Sequence, residues 1–560
     1  MRRALPVLVA LALLAGCVGL PTDGPVQEGL ERAPEPEGIV FLAPDPRPGG
    51  DPEEIVSGFL DAATAGVADR FETAQKYLTD SARRTWIPGA GVTVYAGNTP
   101  PEVQEDRPGR VTVTVPVAGF VDARGTYTEE PADTTKSFRF QLTQVDGQWR
   151  ITSLDDGVLI SAVNFGTQYR QVPLAFFSAD GEYIVPDTRW FPEQNSASFA
   201  VRALLDGPAQ WLLPGVMTAI PPGTSADPVS VSDGTAEVIL SQTALAASPE
   251  DRAMIVAQLE HTLTQLPQVR RVRALANDIP LLDGSHGLNP ISDPSVGHTP
   301  LILRSEDVAI TSGAAITPLE GIHRDPGADY TALAVPYTDI EDGDLPLVAR
   351  IGEEIVATLP RQGEEPAHLI EGRGLLGPSY DPFGWVWSGP KDSDGTLVVA
   401  DPISETVSTV SAPALEDNHV RRVRISRDGS RIALIQTIGE ETAIQVAMVI
   451  RDEDGTPTAV SEPVAVGASV SDATDLTWVD SVTLGVLGRS EGGAPSVHTV
   501  PLGGPSVALL SVPDASLLTS GRGERELWVA TETGEVFNRA GNGWRRVGEE
   551  SDAIAIAFPG

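Results

Sequence analysis

Short apolar runs separated by turn residues occupy the chain from about His298 onward, and this pattern restricts the fold more than any other feature. Ser426 to Ala433 has the pattern of strand, turn and strand, and Trp385 to Trp387 is another short apolar run. Regular short strands with Asp-Gly turns are typical of a β-sandwich, a barrel or a propeller. We place an all-β domain at residues 300–560. At about 40–45 residues per blade, this length would supply about six propeller blades.

Residues 51–160 have the pattern of a small α+β domain. Asp51 can cap a helix that Pro52 begins, and Gly66 is expected to end it. A second helix is predicted over Phe71 to Ala82, and Asp146-Gly147 predicts a hairpin turn. Apolar residues that alternate with polar ones predict half-buried strands. These alternating positions are Val111, Val113, Val115, Phe138, Phe140 and Leu142.

Residues 171–283 repeat the α+β pattern. Val172 to Phe177 is an apolar strand, and a helix is predicted across Ser196 to Leu205 until Gly207-Pro208 stops it. Ser248 caps the clearest helix of the chain, with a proline in the first turn. The apolar stripe of that helix is Ile255, Leu259, Leu263 and Leu266. Residues 284–299 remain as a linker to the all-β domain.

The N-terminus has the order of a secretory signal. A charged start, Met1-Arg2-Arg3, is followed by an apolar run from Ala4 to Ala15 that is shorter than the roughly 20 residues needed to cross a bilayer. Leu14-Ala15-Gly16-Cys17 ends this run, and Cys17 is the only cysteine. We predict a signal peptide over residues 1–16, lipid on Cys17 and a Pro/Gly-rich tether over residues 17–50. The alternative is an ordinary signal peptide that happens to contain a cysteine.

Lipid on Cys17 would hold the mature chain on the extracytoplasmic side of the cell membrane. No second apolar stretch approaches spanning length. The formal net charge of −38 argues against nucleic acid and anionic headgroups as general partners. A single cysteine also excludes an intramolecular disulfide, so the stability of the chain must come from its packed cores.

The sequence has no segment with the full pattern of a catalytic, cofactor or metal site, in which spacing and the flanking helices or strands agree. Gly372 to Gly377 has the glycine spacing of a dinucleotide loop, but Pro378 and Pro382 follow where that loop needs a helix. Asp392 to Gly395 and Asp452 to Gly455 resemble fragments of calcium loops, which turn chemistry also explains. The seven histidines are scattered singly, without zinc spacing. We therefore expect no catalytic residue, no cofactor, no metal and no enzyme activity.

Two basic stretches allow more than one interpretation. Five arginines lie between residues 421 and 431, and three lie at 270, 271 and 273. Either stretch could bind an acidic partner or a wall polymer. The simpler interpretation places Arg422 and Arg424 on the solvated side of a strand while Val423 and Ile425 pack inward.

Three motifs lie in residues 171–283. Trp190 ends Pro186-Asp187-Thr188-Arg189-Trp190, Ala203-Leu204-Leu205-Asp206-Gly207-Pro208 follows it, and the Ser248 helix is the third. In this order they resemble a GerMN domain, a small α+β module of sporulation and germination proteins. Trp190 and Trp211 could line a ligand groove of this domain, although core packing is the more common role for tryptophan.

With the Cys17 motif before it and the all-β region after it, the whole chain resembles the actinobacterial LpqB-type lipoproteins. The resemblance implies two small α+β domains, the second GerMN-like, followed by a β-propeller; the residues alone leave a pair of β-sandwiches open. It also implies a noncatalytic accessory protein that binds the extracytoplasmic domain of a sensor histidine kinase of the MtrA–MtrB type, in envelope homeostasis and division. The alternative is a protein that binds or hydrolyses cell-wall polysaccharide through acids in the propeller funnel.

Overall fold

A computed structural model describes most of the chain after residue 42. The described ranges are 43–97, 100–282, 288–294, 296–312, 315–319, 327–337, 345–358, 367–490, 493–548 and 551–560. Residues 43–560 belong to one compact unit. The predicted signal peptide, Cys17 and the tether up to residue 42 lie outside the described residues.

The described end of the predicted tether, residues 43–50, lies against the first domain without forming a helix or a strand. The Tyr77 hydroxyl donates to the Pro44 carbonyl at 2.9 Å. Lys76 Nζ lies 2.6 Å from an Asp45 carboxylate oxygen. These contacts fix the point at which the chain enters the domain.

The first domain is a helix packed on a mainly antiparallel sheet. Its elements are α1 (Pro52–Asp69), α2 (Glu72–Gln75), α3 (Asp80–Thr85), β1 (Gly91–Tyr95), β2 (Glu102–Arg107), β3 (Arg110–Asp122), β4 (Tyr127–Glu129), β5 (Thr135–Val145), β6 (Gln148–Ser153), β7 (Val158–Ser161) and α4 (Ala162–Gln168). The sheet order is β6-β5-β3-β1-β7, with β2 and β4 also paired to β3, and β7 runs parallel to β1. The predicted alternation in β3 is confirmed, because Val111, Val113 and Val115 are fully buried beneath α1.

Helix α1 begins as predicted and ends later than predicted. The Asp51 side chain accepts the Glu54 backbone N–H at 2.8 Å, which forms a capping box. The predicted end at Gly66 is wrong, since the helix continues to Asp69. A Cβ at Gly66 would lie 2.1 Å from the Phe71 ring, so the glycine permits a close approach rather than a helix end.

The helix predicted over Phe71 to Ala82 is also wrong. The structure has two short helices, α2 and α3, separated by an extended segment in which Leu78 forms a bridge to Ile151 of β6. The Thr79 side chain caps α3 by accepting the Ala82 N–H at 3.3 Å. Packing of this segment against the sheet edge therefore overrides a continuous helical pattern.

The middle domain holds two small sheets and two helices around one core. Its elements are β8 (Tyr169–Ser178), β9 (Ile184–Pro192), α5 (Ser196–Asp206), β10 (Val216–Met217), β11 (Ser230–Ser232), β12 (Thr235–Leu240), α6 (Pro249–Leu263), β13 (Arg271–Ala276) and β14 (Ile279–Pro280). The sheet orders are β10-β8-β9 and β11-β12-β13-β14, and α6 connects the parallel strands β12 and β13. The predictions for α5 and for the start of α6 are confirmed, including the cap at Ser248, which accepts the Asp251 N–H at 3.0 Å. The predicted stripe extended too far, since α6 ends at Leu263 and Leu266 lies in the turn after it.

A buried glutamine joins helix α6 to β8 and to the segment that follows β10. Gln258 on α6 donates to the Ala175 carbonyl of β8 at 2.9 Å and accepts the Ala219 N–H at 3.0 Å. Thr262, one turn later, accepts the Ala175 N–H at 2.9 Å. These bonds satisfy polar groups inside an apolar core, where each unpaired group would cost about 1–3 kcal/mol.

The C-terminal domain is all β. Its strands, in chain order, are β15 (Leu301–Arg304), β16 (Val308–Ser312), β17 (Ala315–Pro318), β18 (Tyr330–Ala334), β19 (Leu347–Ile351), β20 (Glu354–Thr358), β21 (Ala367–Glu371), β22 (Ser379–Tyr380), β23 (Val386–Ser388), β24 (Thr396–Asp401), β25 (Thr406–Ser411), β26 (His419–Ile425), β27 (Arg431–Ile438), β28 (Glu441–Arg451), β29 (Pro457–Val460), β30 (Val464–Val466), β31 (Ser471–Trp478), β32 (Thr483–Arg489), β33 (Pro495–Pro501), β34 (Val507–Ala508), β35 (Ala515–Ser520), β36 (Leu527–Thr531), β37 (Val536–Ala540), β38 (Gly543–Val547) and β39 (Ala553–Ala557).

The described strands form a six-bladed propeller. The blades are β39-β15-β16-β17, β18 to β21, β22 to β25, β26-β27-β28-β30, β31 to β34, and β35 to β38. Strand β29 bridges the third and fourth blades, because it pairs with both β25 and β28. The C-terminal strand β39 is the inner strand of the first blade and pairs with β15, which closes the ring. A ring of blades excludes the pair of β-sandwiches.

Aspartates shape the inner hairpins of several blades. Asp381, Asp428 and Asp480 each accept the backbone N–H of the residue two positions later, at 2.8–3.0 Å. An aspartate side chain that bonds its own backbone in this way pre-forms a tight turn. The turn predicted between Ser426 and Ala433 is one of these hairpins and joins β26 to β27.

Candidate functional site at the junction of the domains

The motif Pro186-Asp187-Thr188-Arg189-Trp190 lies on β9 and contains a buried ion pair. Asp187 and Arg189 are two residues apart on a strand, so their side chains lie on the same face. Arg189 Nε donates to Asp187 Oδ1 at 3.0 Å and Arg189 Nη2 to Oδ2 at 2.7 Å. Both side chains are nearly fully buried, and Asp187 Oδ2 also accepts the Ala209 N–H at 2.7 Å. The pair is a bidentate, charge-assisted contact.

The same strand binds the first domain. Arg189 Nη1 donates to the Arg124 carbonyl at 3.1 Å, and the Trp190 N–H donates to the Gly125 carbonyl at 2.7 Å. The Trp190 ring lies 4.6 Å from the Phe165 ring of α4, centroid to centroid. Strand β9 therefore holds the turn that precedes β4 by hydrogen bonds and packs on α4 through an aromatic contact.

Strand β9 also binds the propeller. Trp190 Nε1 donates to the Gly503 carbonyl at 2.7 Å. Gly503 has φ +88° and carries the turn between β33 and β34 close to Thr188. A side chain at this φ would strain the backbone, so glycine suits this close approach.

Glu129 at the end of β4 connects the first domain directly to the propeller. Its carboxylate accepts the Ser506 N–H and the Ser506 hydroxyl, each at 2.8 Å. It also accepts the Ser469 hydroxyl at 2.9 Å. One carboxylate thus holds two propeller loops.

The described part of the predicted linker is bonded to the middle domain through Ile291 and to the propeller through Asp293. The Ile184 N–H donates to the Ile291 carbonyl at 2.8 Å, and Arg427 Nη1 lies 3.5 Å from Asp293 Oδ1. Arg427 Nη2 donates to the Trp478 carbonyl of β31 at 3.0 Å. Burial raises the pKa of the Asp293 carboxyl, and the charge of Arg427 opposes this shift.

Two cavities border this junction. The larger, which we call the interdomain cavity, has a volume of about 550 Å³ and lies between the first and middle domains. The smaller, of about 180 Å³, is lined by all three domains, including Glu129, Thr188 and Gly504. Small-molecule sites commonly occur where domains meet.

The two tryptophans singled out in the sequence lie at these cavities. Trp190 is half-buried, lines the interdomain cavity and also packs against the core of the first domain. Trp211 is half-buried, lines the smaller cavity and packs against propeller residues. Each therefore packs against a core and also lines a cavity, and the ligand-groove role stays a prediction.

The expected solvated side for Arg422 and Arg424 is wrong. Val423 and Ile425 are buried as expected, but Arg422 Nε donates to Asp475 Oδ1 of the next blade at 2.6 Å. Arg424 lies in the propeller channel, where burial lowers the pKa of its guanidinium to about 10. The alternation of a strand does not distinguish solvent from a neighbouring blade.

Two more arginines of this stretch are buried. Arg431 forms an ion pair with Asp428 and lies 5.1 Å from the Trp478 ring centroid. Arg427 is enclosed by backbone carbonyls of two other blades, including Ser520. These side chains hold blades together. The other basic stretch is exposed, with Arg273 Nη1 3.2 Å from Glu237 Oε2.

The glycine-rich and aspartate-rich segments form turns. No helix follows Gly372 to Gly377, and Gly374 has φ +60° in a loop, which confirms that the dinucleotide spacing is accidental. Asp452 accepts the N–H groups of Asp454 and Thr456 at 3.1 and 2.9 Å. Asp392 contacts His419 Nδ1 at 2.7 Å. Across the described ranges, no three acidic, histidine or cysteine side chains lie close enough together to hold a metal ion.

Sequence reasoning missed several residues of the junction. Glu129, Asp293 and Gly503 belong to no recognisable motif, and their partners lie far away in the chain. A glycine pair such as Gly503-Gly504 is typical of a turn, but it does not show which residues the turn contacts. Cys17, the predicted lipid site, lies outside the described residues. Among the described helices, none has both the length and the apolarity to cross a bilayer.

The fold and the junction define a class: three-domain proteins in which a GerMN-like α+β domain joins an N-terminal α+β domain to a β-propeller. Family models match each part. "Lipoprotein LpqB, N-terminal domain" matches residues 45–166, "Sporulation and spore germination" matches 173–282, and "Lipoprotein LpqB beta-propeller domain" matches 308–555. The chain belongs to the LpqB family of lipoproteins.

Relatives in this family align along almost the whole chain. Lipoprotein LpqB of Thermobifida fusca is 28% identical, over 88% of this chain and 88% of the relative. Lipoprotein LpqB of Streptomyces avermitilis is 26% identical, over 98% and 96%. Among solved structures, the first GerMN domain of the Bacillus subtilis sporulation protein GerM is 29% identical over 22% of this chain and 94% of its own, with a TM-score of 0.19. A nidogen/laminin complex is 13% identical over 47% and 98%, with a TM-score of 0.35.

Proposed function

We propose that this chain is a noncatalytic accessory lipoprotein, tethered through Cys17 to the extracytoplasmic side of the cell membrane. Its partner in this proposal is the extracytoplasmic domain of an MtrB-type sensor histidine kinase, whose signalling it modulates in envelope homeostasis and division. Membership of the LpqB family supports the lipoprotein part of the proposal.

The observation that carries the proposal is the set of contacts that join the three domains. Glu129, Arg189 and Trp190 each bond across a domain boundary through groups that are buried or half-buried. Interfaces within a chain normally allow domain motion unless they are large and hydrophobic, and this junction combines its hydrogen bonds with apolar packing of Trp190 against Phe165. A bonded junction instead fixes the distance and angle between the membrane-proximal domain and the propeller, as recognition of a membrane-bound partner requires.

The propeller carboxylates favour binding over hydrolysis. Glycoside hydrolysis uses two carboxyl groups, one of which must deliver a proton to the leaving group. The buried propeller aspartates are instead engaged by arginines. The pairs are Asp381 with Arg451 at 2.7 Å, Asp475 with Arg422 at 2.6 Å, and Asp428 with Arg431.

Photocrosslinking in living cells tests the partner. A photoreactive phenylalanine is introduced at exposed apolar positions of the propeller (Ile403) and the middle domain (Leu213), with Val145 on the first domain as the matched control. We expect the sensor kinase to be captured from at least one of the first two positions and not from the control.

Two outcomes oppose the proposal. Capture of peptidoglycan or arabinogalactan fragments in place of the kinase would favour the wall-binding alternative. Equal capture of the kinase from all three positions would indicate random collisions at the membrane surface.

A further inference from the structure

The interdomain cavity has the size of a small-molecule pocket. Its volume is about 550 Å³, and ligand sites usually fall between about 300 and 1,000 Å³. Its walls come from two domains: the segments Pro88–Gly91 and Asp122–Gly125 of the first, and Arg189–Pro192 with one face of α5 from the middle domain. Neither domain forms the cavity alone.

Aromatic rings form part of the cavity wall, which is mainly apolar. Phe71, Trp190, Phe191 and Phe199 line it. The Phe191 and Phe199 rings are stacked with centroids 6.2 Å apart, and Phe199 remains 38% exposed. An exposed aromatic ring beside a concave apolar wall favours an apolar ligand, because its burial would remove apolar surface from water.

The rim of the cavity carries arginines that have no ion-pair partner among the described residues. These are Arg70 and Arg124 from the first domain and Arg202 from α5, all exposed. Two acids, Asp122 and Asp206, share the rim, so three arginines against two carboxylates leave one net positive charge there; Asp122 is also held by the N–H groups of Arg124 and Thr126. In a chain with a net charge of −38, three unpaired arginines around one apolar cavity provide charge complementarity for an anion.

We propose that the interdomain cavity binds a single-chain amphiphile with a carboxylate or phosphate head. The apolar chain lies against the phenylalanine rings, and the head receives charge-assisted hydrogen bonds from Arg124 and Arg202. Because these arginines belong to different domains, one bound head bridges the first and middle domains. The inference does not depend on the proposed kinase partner.

Calorimetric titration of residues 18–560, which contain the whole compact unit, tests the proposal. The probes are laurate and dodecyl phosphate, with dodecyl maltoside and dodecyltrimethylammonium as controls of the same chain length, all below their micelle concentrations. We expect saturable one-to-one binding of at least one anion, at least about tenfold tighter than either control. Binding of only one anion identifies the head chemistry and supports the proposal.

Three variants locate the binding. The double variant Arg124→Gln/Arg202→Gln should weaken anion binding at least about tenfold, since each lost charge-assisted bond is strong. Gly89→Trp should abolish binding, because Gly89 lines the cavity and has open space around its Cβ position. Arg271→Gln, an exposed arginine away from the cavity, should bind like the parent.

The proposal is overturned if no saturable binding occurs, or if dodecyltrimethylammonium or dodecyl maltoside binds as tightly as the anions. Unchanged anion affinity in the double arginine variant overturns it as well. Each variant must keep the parent's unfolding midpoint. The arginine variant changes only exposed side chains, so it remains decisive if Gly89→Trp fails to fold.

Discussion

Removal of Arg189 tests the importance of the buried ion pair on β9. Arg189→Met would break two bonds to Asp187 and one to the Arg124 carbonyl and would leave a buried carboxylate without its counter-charge. Breaking a buried pair in this way typically costs about 3–5 kcal/mol. The double variant Asp187→Leu/Arg189→Met removes both charges. Besides the Arg124 carbonyl, which both variants leave without this bond, it leaves only the Ala209 N–H without its acceptor, at a cost of about 1–3 kcal/mol. We therefore expect the double variant to be more stable than Arg189→Met alone.

Urea denaturation of residues 18–560, followed by tryptophan fluorescence, measures these differences in the free energy of unfolding. Variants are compared when the slope of that free energy against urea concentration equals the parent's. Arg273→Met is the matched control, because its ion pair with Glu237 is exposed and should contribute no more than about 1 kcal/mol. If Arg189→Met lost less than about 1 kcal/mol of unfolding free energy, the buried pair would not have the predicted importance. A double variant less stable than the single one would lead to the same conclusion.

Three further predictions concern other parts of the molecule. Glu129→Ala removes the acceptor of three hydrogen bonds, so hydrogen exchange at the Ser506 amide should be at least about tenfold faster, while unchanged exchange would show that the contact is weak. Burial lowers the pKa of the His498 imidazole in the folded chain. Between the ordinary pKa and this lower one, the unfolded chain binds a proton more readily than the folded chain, so stability is lost as the pH falls through this range. The thermal unfolding midpoint of His498→Gln should therefore drop less than that of the parent between about pH 7 and pH 5. An equal drop in both proteins would show that His498 does not cause this loss of stability. Cys17→Ala should release the chain from membranes in fractionation, whereas firm retention would point to protein contacts in place of lipid.

The helices and turns that depend on local chemistry could be predicted from the sequence. Asp51 and Ser248 cap helices through bonds to residues three positions later, and the Asp-Gly hairpins need only neighbouring residues. The end of α1 could not be predicted, because Gly66 serves the packing of Phe71, a contact made only after the chain turns.

The junction was harder to predict, because its bonds join residues far apart in the chain. Trp190 bonds Gly503 across 313 positions, and Glu129 bonds Ser506 across 377. The burial of Arg424 has the same cause, since strand alternation identifies two faces but does not show that a second blade covers the polar one. The motif around Asp187 was visible in the sequence, and only the fold showed that it joins three domains.

The pairing of β39 with β15 has a consequence for how the molecule is made. The chain is synthesised N-terminus first, so β15 is made about 250 residues before its partner. During that interval one edge of the first blade has no neighbour, and such an edge can recruit strands from other molecules. Synthesis must therefore reach β39 before the ring can close, and a stop codon just before β39 would disable the propeller as thoroughly as a break in its middle.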